Sequence, residues 1–386
     1  VSLQFERTID RLEREVDEGL FTRGAQVAVM VKGEQVLSVA LGETGTGSPM
    51  TTTTVSRVWC TIKPVLAVAL ARAVDEGLVD LDEPLAGHLP SVRSLEGGVT
   101  ATHVLTHTAG LHLAGGVQME TVVPAQRRSV IEAMPRPPGW RVGSDAAYSE
   151  YAGWQVLGWL LEDATGEELR PYLRRTLLDP LGLHDTWIGM TPDQFRTVLP
   201  RLGVNFDLRE LQGFPMLIER SERMCTETNP AHGGYTTAAD LACFYAALLQ
   251  RLAGHGPDSL PSPATLQRFC STARPPVHDA VLDRVCSYGL GFMTSLADHA
   301  FGPMCSPNSF GHSGNVGSSF AFADPDHGLA VAVIFNGIVD HESAFLRRPV
   351  LVRALYTDLG LDAPATDPST NPPPHRLVRR FRANKR

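Results

Sequence analysis

The spacing of apolar residues changes along the chain, and each change predicts an element. Phe5, Ile9, Leu12, Val16 and Leu20 recur among charged residues at the spacing of an amphipathic helix. Residues 24–42 then carry two apolar runs around Lys32-Gly33-Glu34, which predicts a β-hairpin. A polar run, Thr51-Thr52-Thr53-Thr54, later gives way to Pro64-Val65-Leu66-Ala67-Val68-Ala69-Leu70. That switch predicts a loop leading into a helix over 60–77. Residues 91–280 read as mostly helical, broken by Pro/Gly loops, with helices over 151–165, 167–178, 238–252 and 262–270. Strand text returns near 288 and continues over 310–314, 318–323 and 329–335, and 343–359 predicts a closing helix.

This order predicts an α/β (α+β) protein whose antiparallel sheet is flanked by helices. Residues 1–90 and 281–362 would form the α/β domain from both chain ends. An all-helical domain, 91–280, would be inserted between them. The stretch 363–386 is Pro-rich and then basic, which predicts a disordered tail.

Composition narrows the function classes. Hydrophobic residues make up 43% and charged residues 20% of the 386, as in ordinary globular proteins. A net charge of −8 argues against a nucleic-acid or anionic-membrane surface on the folded body. No apolar run reaches membrane-spanning length, and the charged first residues predict no signal peptide, so a cytoplasmic location is expected. The six cysteines are scattered, without CxxC pairs or metal-ligand spacing, and no Gly-rich dinucleotide fingerprint occurs. No metal and no organic cofactor are therefore expected.

One cysteine stands apart. Cys60-Thr61-Ile62-Lys63 lies at the predicted loop-to-helix switch, with Lys63 one turn behind Cys60 on the same face. Thiols at helix N-termini beside an amine react readily. Only three of the 34 basic residues are lysines, so a lysine at this spacing is notable. The bland alternative is a buried cysteine near a salt-bridged lysine.

Four further stretches give Cys60 and Lys63 a context. They are Tyr148-Ser149-Glu150, Gly311-His312-Ser313-Gly314, Thr106-His107-Thr108-Ala109-Gly110-Leu111, and Gly233-Gly234-Tyr235-Thr236-Thr237-Ala238-Ala239-Asp240-Leu241. In order, spacing and flanks, residues 10–360 resemble the serine β-lactamase and penicillin-binding-protein superfamily, most of all its class C β-lactamase-like branch. That branch includes esterases, D-aminopeptidases and acyltransferases. Its Ser-x-x-Lys matches Cys60 and Lys63, its Tyr-x-Asn matches Tyr148 and Glu150, and its Lys-Thr-Gly or His-x-Gly matches His312 and Gly314.

The resemblance implies a β-lactamase/transpeptidase-like fold and acyl transfer through a covalent enzyme. Cys60 would be the nucleophile, with Lys63 and Tyr148 as its proton-transfer groups; which of them is the base stays open. The backbone N–H groups of Cys60 and Asn315 would form the oxyanion hole. His312 would bind or orient the acyl group or the incoming nucleophile. Glu150, Ser313 and Gly314 would contact substrate. Histidines 103 and 107 are expected to structure their loop, and Trp59, Trp140 and Trp154 to pack in the core unless they line a cleft.

A cysteine in the serine position keeps a nucleophile where drift would more often leave alanine or glycine. A thioester resists water better than it resists amines. The expected function is therefore a cysteine-dependent acyltransferase using a small-molecule ester or thioester donor and an amine or alcohol acceptor. The transacylase type of capuramycin-class nucleoside antibiotic biosynthesis is similar in kind. A hydrolase and a non-catalytic binding protein on the same fold are the alternatives.

Overall fold

The computed structural model describes residues 4–209 and 213–361. The predicted basic tail, 363–386, lies outside the described residues.

The centre is an eight-stranded antiparallel sheet. From one edge to the other its strands are Glu34–Gly42, Gly24–Val31, Leu329–Phe335, Ser319–Asp324, Phe310–Ser313, Met293–Thr294, Arg284–Tyr288 and Arg274–Asp279. The N-terminal hairpin is joined to the C-terminal strands by pairing of Gly24–Val31 with Leu329–Phe335, Val27 opposite Val333. The hairpin turns at Lys32 and Gly33, both with positive φ, the geometry that matches strand twist.

Period-two alternation splits the core between the two faces. Val27, Val29, Phe320, Phe322, Val331 and Val333 face helices Glu6–Glu18 and His341–Asp358. Ala28, Met30, Ala321, Ala323, Ala330 and Ala332 face helices Lys63–Asp75 and Ala238–Leu252. Small alanines on that second face let the Ala238–Leu252 helix approach closely. The terminal helices are tied together where Thr8 donates from both N and Oγ1 to Asp358 Oδ2, each at 2.8 Å.

Three local details differ from the sequence reading. The predicted helix over 60–77 divides into a 3-10 turn, Trp59–Ile62, and an α-helix, Lys63–Asp75. Pro64 has no N–H to reach back four residues to Cys60 O; Lys63 N donates there instead, which tightens the turn. The helix expected over 167–178 is an α-helix only over Leu169–Leu173 and then widens into a π-turn over Arg174–Leu178. Strands Arg274–Asp279 and Arg284–Tyr288 fall where helix or loop was expected or earlier than strand text was read. Pro275 and Pro276 hide the first of them, and the edge of a sheet is where a strand tolerates missing donors.

Candidate active site

The turn carrying Cys60 is held from two sides. On one side Val58 N donates to Gly234 O at 2.9 Å. On the other Ser319 Oγ donates to Val58 O at 2.7 Å and shares a 2.8 Å hydrogen bond with Thr61 Oγ1. Two glycines permit this approach. A Cβ on Gly234 would lie 2.3 Å from Ile62 Cγ1, and one on Gly314 would lie 2.2 Å from Ser319 Oγ and 2.6 Å from Val58 O. Trp59, just before Cys60, has φ +52°, a conformation that L-residues with large side chains avoid. Its ring lies 3.7 Å from the Arg57 guanidinium, which is itself held by Glu120 and His232. Gly314→Ala should therefore push strand and turn apart, with a loss of roughly 1–3 kcal/mol in unfolding free energy. Thermal and urea unfolding, read beside Cys60 labelling, would check it; unchanged stability would mean that the contact is slack.

Lys63 is fully buried. Its Nζ donates to Glu150 O at 2.8 Å and to Ala231 O. It lies 5.5 Å from the ring centres of Tyr148 and Trp154. Burial holds the ammonium below the ordinary lysine pKa, while Cys60 and Glu150 act in the opposite direction. Tyr148 is likewise buried, and burial, followed by Cys60 and Tyr288, pushes its phenol well above the ordinary value. Cys60 and Tyr148 line the same cleft, and Lys63 lies one turn after Cys60 with its Nζ beside the Tyr148 ring. Cys60, Lys63 and Tyr148 are thus brought together, although Tyr148 is 85 or more positions away in sequence.

The loop that carries Tyr148 is positioned from behind. Tyr148 N donates to Asp279 Oδ1 at 2.9 Å, and Asp279 is buried against Arg274. Ser149 N donates to His107 Nδ1 at 3.1 Å, and the His107 ring packs 4.6 Å from that of Tyr148. His103 completes the N-terminal cap of the preceding helix with Thr100. Both histidines structure their loop.

A cleft of about 200 Å³ opens at Cys60. Tyr148, Glu150, Ser313, Gly314 and Asn315 line it, and so does Trp59. Trp154 is a core residue, and Trp140 donates from Nε1 to Thr108 O at 3.0 Å away from the cleft. Glu150 Oε2 accepts from Gly116 N at 2.8 Å and pairs with no arginine among the described residues. No described residue accepts a hydrogen bond from Cys60 N or Asn315 N.

His312 sits differently from the sequence expectation. It is fully buried and lies behind the cleft wall, its ring 6.1 Å from that of Tyr148. Strand alternation turns Ser313, not His312, toward the cleft. Its Nδ1 donates to Ser313 O at 2.9 Å, and burial, then the Lys63 charge, holds its pKa well below the ordinary histidine value. It is therefore neutral near pH 7 and lies outside the cleft lining, behind Tyr148.

Sequence reasoning did not single out His232, Arg284 or Arg348, yet all three line the cleft. Arg57 Nη2 lies 2.9 Å from His232 Nδ1, which makes that nitrogen the acceptor and leaves Nε2–H facing Gly116. The available signal was position alone, one residue before Gly233-Gly234.

The sequence profile of the beta-lactamase family matches residues 9–355. The chain belongs to that family. The esterase/beta-lactamase LipL of Mycobacterium tuberculosis is 25% identical over 347 residues, 82% of this chain and 77% of LipL. The esterase EstB of Burkholderia gladioli is 29% identical over 212 residues, 48% of this chain; the match spans about half of EstB, 53%. Among solved structures, EstCE1, described as a hydrolase with promiscuous acyltransferase activity, has a TM-score of 0.75 at 19% identity, covering 91% of this chain and 98% of that one. The last likeness shows the fold, a mixed α/β arrangement with an antiparallel sheet flanked by helices. No helix among the described residues is long and apolar enough to cross a membrane.

Proposed function

We propose that this protein is a cysteine-dependent acyltransferase that forms an amide through a thioester at Cys60, exchanging an ester for an amide in the biosynthesis of a secondary metabolite such as an antibiotic. The observation that carries this reading is the placing of Cys60 and Tyr148 in the lining of one cleft, with the buried Lys63 Nζ 5.5 Å from the Tyr148 ring. A neutral lysine has two N–H bonds and one lone pair. The carbonyls of Glu150 and Ala231 can take both N–H bonds, which leaves the lone pair for the thiol proton.

The steps balance as follows. Cys60 Sγ attacks the ester carbonyl as its proton passes to the Lys63–Tyr148 pair. The carbonyl oxygen becomes an oxyanion facing the unused N–H groups of Cys60 and Asn315. The C–O bond then breaks, and the alcohol leaves with the proton. An amine attacks the thioester carbonyl, the C–S bond breaks, and the proton lost by nitrogen returns to sulfur. His312, neutral and beside Tyr148, keeps that phenol in place during the transfer.

Glu150 supports an amine as the acceptor, because an unpaired carboxylate in the cleft attracts an ammonium group. Glu150→Gln should lower the ratio of amide to hydrolysis product roughly tenfold, the worth of one charge-assisted hydrogen bond. The measurement is product analysis after acylation by p-nitrophenyl butyrate, with and without added amine. Amide formation that is unaffected by Glu150→Gln would remove the acceptor role.

The second reading is an ester hydrolase, favoured by the names of LipL and EstB. The same assay separates them. If added amine yields no amide while free acid accumulates, the protein is a hydrolase. If no ester acylates Cys60, a binding role on the same fold stands instead.

A further inference from the structure

Behind Tyr148 one buried carboxylate holds two parts of the cleft at once. Asp279 has no solvent exposure. Its Oδ2 accepts from Arg274 Nη1 at 3.2 Å. Its Oδ1 accepts from three backbone N–H groups: Tyr148 N at 2.9 Å, and Val281 N and Leu282 N at 3.1 Å each. The last two make an Asx turn, in which an aspartate closes the chain just after itself. The first comes from 131 positions away. Ala280 N adds a second tie between the same segments by donating to Ala146 O at 2.9 Å.

Each of these segments reaches the chemistry. Tyr148, Val281 and Leu282 all line the cleft beside Cys60. Leu282 and Cys60 also pack against the apolar cluster that contains Tyr148. Arg274 extends the tie outward. Its Nη1 donates to Thr106 O at 3.2 Å and its Nη2 to Cys286 O at 3.3 Å. Thr106 precedes His107, whose ring accepts from Ser149 N and packs on Tyr148. A buried ion pair is a costly fastening, and apolar packing would hold two loops as firmly. What the carboxylate adds is direction. It fixes the backbone N–H groups of two segments on one atom, so neither shifts without the other.

The two segments have different tasks. Tyr148 belongs to the pair that moves the thiol proton. Val281 and Leu282 offer an apolar surface, and Val281 is 40% exposed. We infer that Asp279 is a positioning residue for acyl transfer: it couples the Val281–Leu282 side of the cleft to Tyr148, so that an acyl group packed against that side holds the phenol where it serves Cys60. The inference rests on the reading of Cys60 as the acylated residue. In such a coupling the binding energy of the acyl chain is realised in the rate and not only in affinity.

The test uses the full chain and single-turnover acylation by the p-nitrophenyl esters of acetic, butyric and hexanoic acids. In wild type the saturating rate should rise roughly tenfold once the chain reaches Val281 and Leu282. Asp279→Ala should lower that rate roughly 10²-fold, the cost of a displacement of about 1 Å, and should flatten the chain-length dependence to within about twofold. The concentration for half-saturation should change less, within about threefold. A role in folding alone would leave the chain-length dependence as it is. A double-mutant cycle gives the second readout. In Tyr148→Phe the phenol oxygen is already gone, so adding Asp279→Ala should slow acylation by no more than about threefold. Asp279→Asn keeps an oxygen for the three N–H groups and should lose less than alanine. It replaces alanine in the cycle where that variant, with Arg274 left unpaired, fails to fold.

Loss of the chain-length dependence, together with a slowdown that needs the Tyr148 hydroxyl, supports the inference. A slowdown that is the same with and without that hydroxyl overturns it, as does a chain-length dependence that survives in the Asp279 variants. A wild-type rate that ignores chain length overturns it too. If no ester acylates the wild type, the acyl-enzyme reading fails and the inference falls with it, an outcome told apart from the others at the first measurement.

Discussion

Cys60→Ala should abolish turnover and acyl-enzyme formation together, while the protein unfolds at an unchanged temperature. The first half follows from chemistry. Alanine offers no nucleophile, and the remaining groups in the cleft could only orient a substrate toward water. Losing a covalent nucleophile of this kind costs roughly 10⁴–10⁶ in rate. The second half follows from structure. The turn is held by Val58, Thr61 and Ser319 rather than by the thiol, so the fold does not depend on it. Cys60→Ser should also fold, and should shift any product from amide toward free acid, because an oxygen ester lacks the thioester's preference for amines over water. Rapid-quench mass spectrometry on both variants, with and without amine, measures these outcomes. Amide formation at the wild-type rate by Cys60→Ala would sink the covalent mechanism.

Lys63→Arg should slow acylation as severely as Lys63→Ala, by roughly 10²–10⁴-fold. Guanidinium stays protonated and cannot accept the thiol proton, so charge alone would not rescue the reaction. The pH profile carries the sign. The neutral amine is the active form, so the acylation rate should rise with pH through the Lys63 pKa and level off above it. Burial of Lys63 places that rise below the ordinary lysine value, and Cys60 and Glu150 return part of the shift. The measurement is single-turnover acylation across pH for wild type and both variants. An arginine variant that acylates as fast as wild type would make Lys63 a source of charge only, leaving Tyr148 to take the proton.

The Cys60–Lys63 pair was legible in the sequence because its spacing is local. Cys60 and Lys63 are three residues apart, and the polar-to-apolar switch around them marks a helix start. The N-terminal helix, the hairpin and the Ala238–Leu252 helix were legible for a similar reason, since each keeps one period over its whole length. Tyr148 was reached through the resemblance of its motif and not by periodicity. The edge strand Arg274–Asp279 was hidden by Pro275 and Pro276, which remove the strand signal without preventing an edge position.

By itself, then, the sequence determined which short segments form helices and strands and which side chains could do chemistry together, because such patterns are set within a turn or a pair of strands. Tertiary structure decided the rest. It put Trp59 at positive φ and the Cys60 turn between Gly234 and Ser319, contacts made 175 or more residues away. It buried His312 behind Tyr148, brought His232 to the cleft, and sent Arg347 and Arg348 to different surroundings from adjacent positions. Burial and the partners met across long sequence separations exist only once the sheet and its helices have closed, and those two quantities set the charge state and orientation of every group in the cleft.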